Sequence, residues 1–166
     1  MHTLSVMTLA EKICEVYPQA DRDLLICGTA LHDIGKISEM DAGETGIAKD
    51  YTTDGNLVGH IVRGAMIVRF TGTALKTDDE KLRLIEHMLL SHHGDPEFGA
   101  AVRPKFLEAF LLHMADNIDA KVYEFSEIAE ELDPQTFSGR QWALDDINVY
   151  NHARKEIKPQ ANILDD

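Results

Sequence analysis

Cysteine is scarce in this chain. Only Cys14 and Cys27 occur among 166 residues, in no spacing that suits a thiolate metal site. Reduced thiols in a cytoplasmic protein are therefore the expectation. Long apolar runs are missing too. No stretch approaches the roughly 20 residues that span a bilayer, and the N-terminus lacks the basic, apolar, small-residue succession of a secretory signal. No membrane association is expected. Positive charge is the third shortage. Sixteen Lys and Arg stand against 29 Asp and Glu, a formal net charge of −13. Broad binding along a nucleic-acid backbone needs a positive groove and is disfavoured. Gripping one phosphate is not, because bound cations can reverse the sign locally. Lastly, no segment alternates convincingly between apolar and polar residues, and there is no internal repeat or low-complexity block.

What is present reads as one helical domain. Apolar residues make up 44% of the chain, ordinary for a globular protein and too many for disorder. Val6, Leu9, Ile13 and Val16 recur at helical spacing, and Pro18 ends that segment. A second helix is expected from Asp21, carrying Leu24, Leu25, Ala30 and Leu31, with Gly35 as its stop. Residues 36–56 read as loop. A third helix is expected over 57–70, a fourth from Asp78-Asp79 to Ser91, and a fifth and long one over 105–131. The stretch "HHGDPEFGAAVRP" between the last two reads as loop. A further helix is expected over 143–156, and 157–166 as a tail. The fold class is all-α, with no second domain.

Polar residues fall where these helices should be apolar. His2 sits four residues before Val6 and continues that stripe. His32 and Asp33 close the apolar run of the second helix, and His60 lies in the first turn of the third. Leu82, Ile85 and Leu89 lead at helical steps to His92. Phe106, Ala109, His113, Asp116 and Ala120 share one face of the fifth. A buried carboxylate is costly unless paired or coordinated. Imidazoles and carboxylates converging from several helices are how a bundle builds a metal site in its core. Mixed nitrogen and oxygen donors suit Mn²⁺, Fe²⁺, Co²⁺, Ni²⁺ or Zn²⁺, and six groups exceed what one tetrahedral Zn²⁺ takes. Adjacent His32 and Asp33 would point about 100° apart on a continuous helix. They serve one cluster if the helix ends there and Asp33 bridges two ions.

The order His2, His32-Asp33, His60, His92, Asp116 resembles the HD-domain phosphohydrolase superfamily, whose signature runs H…HD…H…H…D. The run "LHDIGK" sharpens the likeness. "YTTDGNLVGHI" (51–61), "LLSHHG" (89–94), "LHMADNIDAK" (112–121) and "SGRQWALDD" (138–146) are similar to the HD half of the YhaM-type 3′→5′ exoribonucleases, a likeness covering roughly residues 2 to 146. The resemblance implies an all-helical fold over 1–156 and cleavage of phosphomonoesters or phosphodiesters with divalent metal. Two ions are implied, Mn²⁺ favoured, with Fe²⁺, Co²⁺, Ni²⁺, Zn²⁺ and Mg²⁺ as alternatives. That family carries an OB-fold RNA-binding domain ahead of the HD domain. Only Met1 precedes His2, so the expectation is that this chain lacks it.

Carried over residue by residue, the resemblance implies that His2, His32, Asp33 and Asp116 hold one ion. Asp33 would bridge to a second, held by His60 and by His92 or His93, a choice the spacing leaves open. Lys36 would place a point charge beside the scissile phosphate. His87 and His113 are expected as supporting donors or structural residues. Asp119 could orient Lys36 or Lys121. Arg63, Arg103 and Lys105 could flank the site mouth, and Trp142 and Tyr150 are expected to pack. Three functions follow: a phosphodiesterase acting on RNA or oligonucleotide 3′ ends, a phosphatase acting on small nucleotides, or a metal-stabilised module without catalysis. A homo-oligomer is compatible with each.

Overall fold

In the computed structural model, residues 1–42 and 48–154 are described. Of these, the ones within 3–116 form one compact unit; residues 1–2 and 117–154 form another.

The larger unit is built from helices α1 (His2–Val16), α2 (Arg22–Leu31), the short α3 (Lys36–Glu39) and α4 (Thr53–Leu57), α5 (Gly59–Ala74), α6 (Asp79–Ser91) and the first part of α7 (Leu107–Glu130). Side-chain caps fix three of their starts. Asp21 accepts from the Leu24 amide at 3.1 Å, Asp78 from that of Lys81 at 3.1 Å, and Thr52 from that of Gly55 at 2.9 Å. Each satisfies an amide that the first helical turn leaves open. The core forms where the apolar stripes meet. Val6 and Ala10 of α1, Leu25 of α2, Met88 of α6 and Ala109, Leu112 and Ala115 of α7 are all fully buried in one cluster. Val68, Leu82 and Leu89 form a second.

Residues 43–47 of the segment expected as loop over 36–56 lie outside the described residues; the rest of it is more ordered than its sequence suggests. It holds α3, an antiparallel hairpin of β1 (Met40–Ala42) and β2 (Ala48–Tyr51), and α4. Strands this short cannot display a period-two pattern.

In the smaller unit the end of α7 packs against a second antiparallel hairpin, β3 (Phe137–Gln141) with β4 (Ile147–Tyr150), around Ala129, Leu144 and Val149. Asn151 ties the two together, its side-chain amide donating to the carbonyls of Ala129 and Leu132 at 3.2 and 2.9 Å. The helix expected over 143–156 does not form across its described residues. Asp145 and Asp146 take φ values of 56° and 61°. Two consecutive left-handed residues reverse the chain as a hairpin turn does and end any helix. Residues 155 and 156 of that expectation, and the tail over 157–166, lie outside the described residues. Trp142, expected to pack, is 88% exposed.

Candidate metal centre

The centre starts where α2 stops. The helix ends at Leu31, His32 keeps helical dihedrals as its last cap, and the chain then turns through Gly35, the Lys36 amide bonding to the Asp33 carbonyl at 2.9 Å. That break lets neighbouring His and Asp side chains serve one place. His32 is fully buried. Its Nδ1 lies 2.7 Å from the Thr29 carbonyl oxygen. A carbonyl only accepts, so Nδ1 carries the proton and donates it. Nε2 then faces two carboxylates, Asp33 Oδ2 at 3.4 Å and Asp116 Oδ1 at 3.7 Å.

The same arrangement recurs three times nearby. His60, in the first turn of α5, directs Nδ1 to Glu39 Oε1 at 3.0 Å. His92 donates from Nδ1 to the Leu89 carbonyl at 2.7 Å, and His93 to that of Phe98 at 2.8 Å. Ligand atoms of His60, His92 and His93 all lie within 4.8 Å of one another. Asp33 Oδ1 is 3.7 Å from His60 Nε2 and 4.0 Å from His92 Nε2. One carboxylate thus turns one oxygen to His32 and the other to the His60–His92 group.

These donors fit a divalent cation. The Nε2 atoms of His60 and His92 are buried without a hydrogen-bond partner, a costly state for a polar nitrogen. A cation accepts several such lone pairs at once. The protonation states agree. Burial first, and the charge of His93 next, push the His92 imidazole down to about 3. Burial likewise lowers His93. Both are neutral near pH 7, as ligands must be. Burial alone would raise the Asp33 carboxyl. The hydrogen bonds and charges of His32 and Lys36 outweigh it and hold the group well below the usual carboxylate range.

The HD domain family matches residues 1–121. The chain belongs to that family. It is 37% identical over 149 residues to the 3'-5' exoribonuclease YhaM of Bacillus licheniformis, and 37% identical over 151 residues to that of Bacillus subtilis. To the YhaM of Listeria welshimeri it is 37% identical over 150 residues. These matches cover 90% of this chain but only 46 to 47% of each relative, so the chain spans about half the length of the curated relatives it matches. No solved structure matches it. Divalent metal is what HD domains bind, and the His and Asp groups here could hold it.

Within this HD domain, His32, Asp33, His60, His92, His93 and Asp116 come together. Both His92 and His93 join the cluster, so the spacing did not have to choose between them. His2 belongs to the other unit, where its Nδ1 donates to Asp119 Oδ2 at 2.7 Å. Asp119 therefore serves His2. Lys121 instead donates to the Ala143 carbonyl. Lys36 donates to Asp33 Oδ2 at 2.7 Å and is half-exposed. His113 supports the centre from outside, its Nδ1 donating to the His92 carbonyl at 2.8 Å. Gly94 makes room for that ring, since a Cβ there would come within 2.3 Å of His113 Cε1. His87 is structural, accepting from the Lys105 amide at 3.1 Å. Arg63 is engaged by Asp54 through two nitrogens and Arg103 by Asp95, so neither guanidinium stands open for a phosphate.

One residue escaped sequence reasoning. Glu39 is buried and accepts from both the backbone amide and Nδ1 of His60, each at 3.0 Å. It lies in the segment read as loop, where no helical frame marks an acid as inward. The available signal was chemical. Each ligating imidazole needs a partner for its second nitrogen, and Glu39 is a carboxylate within reach of the turn before His60.

Proposed function

We propose that the chain is a metal-dependent phosphohydrolase that cleaves phosphodiester bonds and releases nucleotides from the 3′ ends of RNA or short oligonucleotides. One observation carries the reading. Asp33 lies between two sets of imidazole Nε2 atoms, and every imidazole has its Nδ1 committed elsewhere. His32, Asp33 and Asp116 would hold one ion. Asp33, His60 and His92 or His93 would hold a second, with Mn²⁺ the first candidate. When bound, such ions activate water near neutral pH and offset phosphoryl charge.

The chain's own residues supply the remainder. The neutral imidazoles keep lone pairs available, and Asp33 stays ionised. The Lys36 ammonium leaves Asp33 for a phosphoryl oxygen and stabilises the charge that grows there during in-line displacement. The names of the relatives support RNA as the substrate, which fits a cytoplasmic role. No helix among the described residues is long and apolar enough to cross a membrane.

A 5′-labelled single-stranded oligoribonucleotide and the Mn²⁺-reloaded protein test this. A ladder shortening from the 3′ end, absent with Asp33→Ala, is expected. Intact RNA with rapid dephosphorylation of mononucleotides would shift the reading to a nucleotide phosphatase, which the net charge of −13 favours because a small substrate needs no basic groove.

A further inference from the structure

We propose that the outer face of the β3–β4 hairpin binds single-stranded RNA by stacking bases on exposed aromatic rings, with Arg140 meeting a phosphate. The proposal rests on the reading of the chain as an RNA-cleaving enzyme and deepens it. The strand register carries the first part. Phe137 pairs with Tyr150, and Arg140 with Asn148. Tyr150 and Asn148 are two residues apart on β4 and share a face, while Val149 between them is buried in the unit's small core. Phe137 and Tyr150 are 66% and 44% exposed, with ring centroids 4.7 Å apart. Trp142 stands in the connection between the strands, still more exposed. Gly139 leaves open space, with nothing within 4 Å of where a Cβ would lie. Exposed aromatic rings grouped on one hairpin are a feature of binding faces.

Charge selects the occupant. Arg22, Arg63, Arg69, Arg83 and Arg103 each pair with a carboxylate. Among the described residues Arg140 and Arg154 are the arginines with no ion pair, and Arg140 lies on the aromatic face. A free guanidinium beside exposed aromatic rings is the combination that holds single strands, since every base has a π face and every linkage a phosphate. Asp145 and Asp146 in the adjoining turn keep the electrostatic contribution small. Stacking therefore dominates, and affinity should fall with salt only as steeply as one or two phosphate contacts require. This reconciles RNA binding with an acidic chain.

Trp142 is the sole tryptophan and reports its own contact. The full chain in EDTA, which prevents cleavage, is titrated with a fluorescein-labelled single-stranded oligoribonucleotide of about ten nucleotides. Saturable Trp142 quenching and a matching rise in anisotropy are expected. Trp142→Ala should weaken binding about tenfold, and Arg140→Gln should weaken it and flatten the salt dependence, both with unchanged melting temperature. Phe137→Ala/Tyr150→Ala should do the same; if that pair unfolds the hairpin, the two exposed single substitutions decide. Wild-type affinity in both single variants, or no binding by wild type, overturns the proposal. So does a sedimentation shift in Trp142→Ala with unaltered RNA affinity, which would assign the face to a second copy of the chain. Hydrolysis of a small chromogenic phosphodiester by the Mn²⁺-loaded wild type tests catalysis separately. Hydrolysis without RNA binding removes only this inference, and binding without hydrolysis removes only the catalytic reading.

Discussion

An imidazole presents one nitrogen to a metal dependably only when its other nitrogen is committed. Here the commitments differ in kind. His32, His92 and His93 donate to backbone carbonyls within their own or the adjoining turn, so the helix ends that carry them also orient them. His60 depends on a side chain. Glu39→Ala should therefore loosen His60 alone and lower affinity for one of the two divalent ions proposed above by about 10- to 100-fold, read by calorimetric titration with Mn²⁺. Equal loss at both ions, or at neither, would refute the assignment. Asp33 is placed differently, between both imidazole groups. Asp33→Ala should abolish metal binding and turnover together. Lys36→Ala should keep the metal and reduce turnover about 100-fold, and unchanged turnover would return Lys36 to an ordinary surface ion pair. The clustered His and Asp residues were legible because they fall where apolar stripes were expected to continue. Glu39 interrupts nothing, so its partner His60 was visible and it was not.

Among the elements, the turn after α2 decides whether the centre can form. A Cβ on Gly35 would lie 2.0 Å from the His60 carbonyl oxygen and 2.8 Å from the Gly64 amide nitrogen. Both are backbone atoms, so the start of α5 would have to retreat and take His60 with it. Gly35→Ala should cost about 1–3 kcal/mol and weaken metal binding. Gly139→Ala, in open space, should change stability by less than about 0.5 kcal/mol. Denaturant midpoints of the two variants check this, and equal midpoints would mean that α5 adjusts freely. Sequence reasoning took Gly35 for a helix stop, which was close: the helix ends four residues earlier, at Leu31. Long helices were readable because α5, α6 and α7 sustain their period. Hairpins were not, because strands of three to five residues carry too little pattern and the Asp145-Asp146 turn imitates an acidic helix start.

For the whole molecule, the buried histidines that make the centre also set an acid limit on the fold. An unfolded chain takes up protons on its imidazoles near the ordinary value of 6.5, whereas folded His92 resists until about 3. His93, lowered by burial, and His87, lowered by burial and by Lys105, shift the same way. Between those values the unfolded state binds more protons, so stability falls as pH drops below about 6.5. Asp33 does not contribute to that slope. Its carboxyl is depressed from an ordinary 3.8, so its stabilisation is complete above that value and is lost only at lower pH. Metal steepens the dependence, because protons compete for the same lone pairs. Calorimetric scans at pH 7, 6 and 5 should show the melting temperature of the chelated protein falling stepwise, and the rise on adding Mn²⁺ shrinking over the same range. A chelated protein with the same melting temperature at pH 5 as at pH 7 would mean that these imidazoles reach solvent, and the buried donor set on which the metal reading depends would fail with them.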